Sequence, residues 1–336
     1  MSWLGIDIGG ANLKVANATG YAASRAFPLW KHPDQLAGEL ATLLEATPTA
    51  ENIAVTITGE LADCYSTKVE GITSIVDAMT AAAGDLPCAF YQTTGDLVGA
   101  EEAKSTPFLT AASNWHALAR LAGRIAPSGF SLLVDLGSTT CDIIPIADGK
   151  PVAYGTNDPE RLAHRELVYT GVTRSPLCAL VDSLPWRELD CSIAQEVFAT
   201  TYDAYLLLGD MPEAPEDTNT ADGRPATLEA AHDRLARSIC ADRTLLTLAE
   251  AKTAADMVRE AQTVLLAQAI AHVIDRHEEP TTIVVSGQGE FLTRQVIDYL
   301  GLSAPVVSLS EKYGDTASWC GPAFALATLA EELVKA

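Results

Sequence analysis

Apolar runs that end in an acidic residue and a glycine turn set the rhythm of this chain. Over 4–15, Leu4-Gly5-Ile6-Asp7-Ile8-Gly9-Gly10-Ala11-Asn12-Leu13-Lys14-Val15 reads as a buried strand, a tight turn and a returning strand. Over 132–143, Leu132-Leu133-Val134-Asp135-Leu136-Gly137-Ser138-Thr139-Thr140-Cys141-Asp142-Ile143 repeats the pattern. After the first hairpin the periodicity predicts a third strand near 21–27, a helix over 33–46, strands over 53–58 and 88–91, and helices over 72–83 and 111–126. The second hairpin returns through Asp148-Gly149, and the same order resumes only after a long interruption. It continues with a helix over 248–277, a strand over 282–285, a helix over 291–300, a strand over 306–307 and a last helix over 317–334.

The repeated order predicts an α/β fold of two ribonuclease-H-like halves, each built on a mixed sheet, around a central cleft. Domains of 1–128 and 129–336 follow, the second carrying an insertion at about 156–246 that has no counterpart in the first. A chain of 336 residues exceeds one ordinary core and suits two. Lys and Arg number 22 against 44 Asp and Glu, a net charge of −22 that repels nucleic acid and anionic membranes. No apolar run reaches membrane-spanning length and no leader precedes the first strand, so a cytoplasmic protein is expected. Seven cysteines without a C-x-x-C pair read as buried thiols of a reducing compartment, and the six histidines form no ligand set. No Gly-x-Ser-x-Gly elbow points to a serine hydrolase. The pattern does not decide the oligomeric state; a homodimer stands beside a monomer.

Two hairpins at matching places point to phosphate binding. Turn amides at Gly9, Gly10, Asn12, Gly137 and Ser138 and the hydroxyls of Thr139 and Thr140 suit phosphate oxygens. Asp7, Asp135 and Asp142 suit a hydrated Mg²⁺ against them. Lys14 reads as a phosphate cation or, with equal weight, as an exposed strand lysine. Glu60 and Asp63 follow the 53–58 strand at the edge where open α/β sheets present ligands, and either can serve as the general base; the plain alternative is a helix cap. Asn114 can contact substrate or simply start a helix. In the insertion, Arg174, Asp222 and Arg224 read as substrate contacts or as a solvated turn at even weight. A third turn, Ser286-Gly287-Gln288-Gly289, ends a strand and opens a helix, adding Gly287 and Gly289 to the phosphate-binding candidates.

With the two hairpins, that third turn resembles the adenosine-side element of the actin, sugar-kinase and Hsp70-like ATPase superfamily. A narrower resemblance rests on Gly5-Ile6-Asp7-Ile8-Gly9-Gly10-Ala11-Asn12-Leu13-Lys14, Thr58-Gly59-Glu60-Leu61-Ala62-Asp63-Cys64, Ser113-Asn114-Trp115, Tyr169-Thr170-Gly171-Val172, Tyr205-Leu206-Leu207-Leu208-Gly209-Asp210 and Thr220-Ala221-Asp222-Gly223-Arg224-Pro225. Together these are similar to hydantoinase A/oxoprolinase-like proteins linked to tetrahydromethanopterin-dependent C1 transfer. The resemblance implies a Mg²⁺-dependent transferase of methanofuran biosynthesis. It would join an aminomethylfuran-methyl diphosphate to a tyramine-like phenol and expel pyrophosphate. The same resemblance leaves open an ATP-dependent kinase or amide hydrolase, with ATP or another phosphate ligand in the cradle.

Overall fold

The computed structural model describes residues 2–335, so the outer domain limits 1 and 336 lie outside the described residues. The first half runs β1 (Trp3–Gly9), β2 (Asn12–Asn17), β3 (Ala22–Ala26), α1 (Leu36–Glu45), β4 (Asn52–Thr58), α2 (Lys68–Ala83) and β5 (Cys88–Tyr91). It continues through β6 (Leu97–Val98), α3 (Ala100–Ser105), α4 (Pro107–Thr110) and α5 (Asn114–Ile125). The second half opens with β7 (Phe130–Leu136), β8 (Cys141–Ala147), β9 (Lys150–Pro151), α6 (Asp158–Ala163) and β10 (Leu167–Val168). The insertion then contributes β11 (Ser183–Trp186), β12 (Leu189–Ser192), α7 (Thr201–Leu208) and α8 (Leu228–Arg237). The order resumes with α9 (Leu248–Ile274), β13 (Thr282–Ser286), α10 (Glu290–Leu300), β14 (Val306–Ser308), α11 (Leu309–Tyr313), α12 (Asp315–Trp319) and α13 (Gly321–Lys335).

The sheets follow one plan. The first is ordered β3-β2-β1-β4-β5-β6 and the second β10-β8-β7-β13-β14, with β9 also beside β8. In each, the opening strand pairs antiparallel with its hairpin partner and parallel with the strand after the first crossover helix. This is the ribonuclease-H-like arrangement, present twice. The central strands are buried along most of their length and read as near-continuous Leu, Ile and Val, as strands covered on both faces must.

Helices α5 and α13 form the layer between the sheets. One cluster joins Trp115, Leu118 and Phe324 to Leu133, Ile144 and Val284 of the second sheet, and another joins Leu326 and Leu329 to Trp3 and Ala54 of the first. Gly5 makes this contact close, because a Cβ there would stand 2.0 Å from the Ala323 carbonyl oxygen. The insertion has its own core, in which Leu184, Leu206, Leu207 and Leu235 pack on Ala251, Ala254 and Val258 of α9.

Most expected elements form, and the departures have local causes. Helix α2 begins at Lys68 because Thr67 accepts the Glu70 amide as its N-cap. The helix expected over 111–126 starts only at Asn114, after Ala112 adopts a φ of 48°. The helix expected over 317–334 is divided at Cys320 into α12 and α13. Residues 97–110 form β6, α3 and α4, which periodicity did not predict. All seven cysteines are free thiols, and among the described residues no helix is long and apolar enough to cross a membrane.

Gly5→Ala should therefore destabilise the protein by about 2 kcal/mol or more, since backbone rather than a flexible side chain must move. Gly38→Ala, in α1 where a Cβ meets nothing within 4 Å, should leave stability unchanged or raise it slightly. Urea unfolding of both variants checks this; equal midpoints would contradict the packing of α13 on β1.

Candidate active site

Strand register builds the site. In the first hairpin Asp7 lies opposite Lys14, and in the second Asp135 lies opposite Asp142. Each leading carboxylate takes a hydroxyl from the neighbouring parallel strand: Thr58 Oγ1 donates to Asp7 Oδ1 at 3.3 Å, and Ser286 Oγ donates to Asp135 Oδ1. Burial pushes Asp7 above the usual carboxylate range, against the pull of Lys14 and Thr58. Burial, with nearby Asp142, pushes Asp135 up to about 7, although Ser286 and Lys14 oppose the shift.

The turns are fixed from outside. The Phe27 and Leu29 amides donate to the Ala11 and Gly10 carbonyls, and those of Thr173 and Arg174 donate to the Ser138 carbonyl. At Gly287, with φ at +91°, a Cβ would lie 2.3 Å from Leu136 O and 2.9 Å from Asp135 Oδ1, so only glycine lets the third turn approach Asp135. The Gly287 amide donates to Ser318 Oγ, whose hydroxyl donates to the buried Glu290.

Between the hairpins opens a cavity of about 560 Å³ that both turns line. Its lining also carries Trp30, Leu61, Tyr169 and Pro322, which add aromatic and aliphatic surface. A smaller compartment of about 150 Å³ adjoins it, bounded by Tyr202, Met211, Asp217, Gln288 and Trp319. Lys14, Asp135 and Arg174 border both.

Several candidates come together here: Asp7, Gly9, Gly10, Asn12, Lys14, Asp135, Gly137, Ser138, Thr139, Thr140, Glu60, Asp63, Asn114 and Arg174 all line the cavity. Asn114 also begins α5, so both of its readings hold together. Glu60 is buried and pairs with Lys68 at 3.2 Å, while its Oε2 has no hydrogen-bond partner. Burial raises its pKa, with Lys68 opposing. Thr67 rather than Glu60 or Asp63 caps the helix that follows.

Four expectations change. Asp142 is not left to a cation, because the buried Arg161 guanidinium holds its carboxylate. Among the described residues no three His, Cys, Asp or Glu side chains gather as a metal set. Asp7 and Asp135 both line the cavity, and Mg²⁺ commonly takes one or two carboxylates and completes its shell with water and phosphate oxygens. Gly289 serves packing, its Cα lying against Leu136 and Val172, and it is absent from both cavity walls. Asp222 and Arg224 face away from the cleft into an ion-pair network with Arg234, Asp233 and Arg237. Their loop reaches the smaller compartment through Asp217 and Asn219 instead.

Sequence reasoning missed Lys68, Arg161 and Trp30. Lys68 binds Glu60 and Asp158 and so joins the two halves, and Arg161 lies over the Trp115 ring, 4.5 Å from its centroid. A signal for Arg161 existed: a buried carboxylate such as Asp142 requires a nearby cation.

Two ribonuclease-H-like halves whose glycine turns face each other across a cleft define the actin-like ATPase and sugar-kinase class of fold. Residues 51–333 match the hydantoinase/oxoprolinase family, and the chain belongs to it. It is 33% identical over 332 residues to the (4-{4-[2-(gamma-L-glutamylamino)ethyl]phenoxymethyl}furan-2-yl)methanamine synthase of Methanocaldococcus jannaschii, covering 98% of this chain and 97% of that one. The protein of the same name from Methanococcus vannielii is 32% identical over 59% of this chain and 89% of its own. Among solved structures, component A of the (R)-2-hydroxyglutaryl-CoA dehydratase from Acidaminococcus fermentans aligns with a TM-score of 0.49 and 12% identity, covering 100% of both chains.

The raised Asp135 pKa carries a stability signature. Its ordinary value is 3.8 and its folded value about 7, so the folded state holds the proton across that interval. Stability of the free protein should then fall as pH rises through it, and Asp7, Asp142 and Glu60 act in the same direction. Asp135→Asn should flatten this slope in urea unfolding while abolishing Mg²⁺ binding by calorimetry. A variant with the wild-type slope and wild-type Mg²⁺ affinity would contradict the assignment.

Proposed function

We propose that this protein is a Mg²⁺-dependent transferase of methanofuran-type cofactor biosynthesis in tetrahydromethanopterin-linked C1 metabolism. It couples an aminomethylfuran-methyl diphosphate to a tyramine-like phenol and releases pyrophosphate. The observation that carries this reading is the match to the M. jannaschii synthase along nearly the whole of both chains. The name of that enzyme describes a phenoxymethylfuran, an aryl ether between a phenol oxygen and a furylmethyl carbon. Forming such an ether by displacement requires a leaving group on that carbon, and a diphosphate suits a cavity lined by two phosphate-type turns and an aromatic wall.

In this reading the phenol oxygen attacks the furylmethyl carbon, the carbon–oxygen bond to the diphosphate breaks, and the electron pair leaves on pyrophosphate. Asp7 and Asp135 would hold Mg²⁺, which when bound would supply charge neutralisation for the departing oxygens. The Gly137 amide is spent on the Thr140 carbonyl, so the turn amides of 9–12 and 138–140 and the Lys14 ammonium hold the phosphate oxygens in place. Glu60 takes the phenolic proton: its Oε2 is unpartnered, and burial makes it a stronger base than an ordinary carboxylate. Trp30 and Tyr169 line the cavity and offer ring faces to the furan and phenol rings.

Incubation with a furfuryl-type diphosphate and a tyramine derivative, without ATP, should release pyrophosphate and yield an ether identifiable by mass spectrometry. Product formation that strictly requires ATP and releases ADP would replace this reading with a kinase one.

The base assignment has its own signature. Because Glu60 must be ionised to accept a proton, the rate should rise with pH through its raised pKa and level off above it. Glu60→Gln should lower kcat about 100-fold or more and abolish that limb. Asp63→Asn should keep both rate and limb; the opposite pattern would transfer the role to Asp63.

A further inference from the structure

The cations around the cleft are not equivalent. Lys14 acts on Asp7, Asp135 and Asp142, and Arg161 is paired with Asp142 and Asp158. Arg174 has no ion pair among the described residues. Its guanidinium rests over the Trp30 ring of the opposite half, 5.4 Å from the centroid, and borders both compartments. Its backbone is bound to the second phosphate turn: the Arg174 amide donates to Ser138 O at 3.0 Å, and that of Thr173 at 3.1 Å. Gly171 lets this segment press on the turn, since a Cβ there would lie 2.3 Å from the Thr139 nitrogen. The guanidinium is thus an uncommitted charge anchored next to a phosphate-type turn.

We propose that Arg174 is the specificity-determining residue that makes the site require a diphosphate rather than a monophosphate. This rests on the reading of the cleft as a diphosphate site and goes beyond it by assigning the distal phosphate to one side chain. The turn amides and Lys14 suffice for one phosphate group. A second adds negative charge where Lys14 is already shared among three carboxylates, and only Arg174 has its charge free to meet it. A guanidinium offers two parallel N–H donors to phosphate oxygens, a stronger interaction than stacking on an indole face. Binding a diphosphate therefore draws Arg174 off Trp30.

Calorimetric titration of the full chain with inorganic pyrophosphate and with inorganic phosphate, each with Mg²⁺, tests this. Wild type should bind pyrophosphate more tightly. Arg174→Ala should weaken pyrophosphate about tenfold or more and leave phosphate unchanged, and Arg174→Lys should fall between them, keeping the charge but losing the fork. Trp30 fluorescence, isolated by subtracting the Trp30→Phe variant, should respond to pyrophosphate but not phosphate in wild type, and to neither in Arg174→Ala. Equal losses for the two ligands in Arg174→Ala, or no preference in wild type, would overturn the inference. A preference that depends on Arg174 in a protein that forms no ether without ATP would retain it and remove the transferase reading instead.

Discussion

The constraint on which this site depends is an excess of negative charge at low exposure. Asp7, Glu60, Asp63, Asp135, Asp142 and Asp158 line the larger cavity against Lys14, Arg161 and Arg174. Taking a carboxylate out of water costs several kcal/mol unless a partner compensates it, and strand register fixes Asp7, Asp135 and Asp142 at the cavity. The molecule answers in two ways. Asp142 pairs with the buried Arg161 and Glu60 with the half-buried Lys68, although burial still raises the pKa of both. Asp7 and Asp135 receive a hydroxyl each and the shared Lys14 instead, and burial raises their pKa values as well.

Duplication explains the placement, and divergence explains the chemistry. Both sheets put an acidic residue on the opening strand and a second charged residue opposite it on the returning one. In the first hairpin that second residue is Lys14; in the second it is Asp142. A symmetric pair of lysines would set a cation opposite both leading carboxylates, whereas two aspartates would leave Asp7 without the cation opposite it. The mixed arrangement keeps one cation in reach of both hairpins. It also imports Arg161 from α6, held over Trp115, to cancel the charge the second hairpin adds.

What can be read from the chain alone follows from the range of the interactions involved. The hairpins, the crossover helices and the doubled order depend on local periodicity, and they form where Leu, Ile and Val alternate or run together. Thr67 and Ala112 move helix starts by a few residues because caps and left-handed backbone are local but not periodic. The partners of the site side chains lie far along the chain: Lys68 and Asp158 are 90 residues apart, and Arg161 and Asp142 are 19 apart. No window of sequence contains such a pair. Asp222 and Arg224 illustrate the converse, since an Asp-Gly-Arg-Pro loop has the composition of a binding loop. Only the packing of α8 reveals that Arg234 and Asp233 have already claimed its charges.

The chain between 158 and 174 then acquires a meaning that neither repeat alone provides. Asp158 meets Lys68, Arg161 meets Trp115, and Arg174 meets Trp30, so three side chains of one short stretch reach three partners in the first half. An ordinary connection between β8 and the next crossover helix would supply none of them. These contacts differ in strength. The Arg161–Asp142 pair is buried, and opening it would strand a carboxylate, so it acts as a fixed joint. The Arg174–Trp30 contact is solvent-facing and worth about 1 kcal/mol at such exposure, little enough for a second phosphate group in the cleft to compete with it. A rigid joint at the base and a weak contact at the mouth let the two halves keep their register while the outermost cation stays available to the ligand.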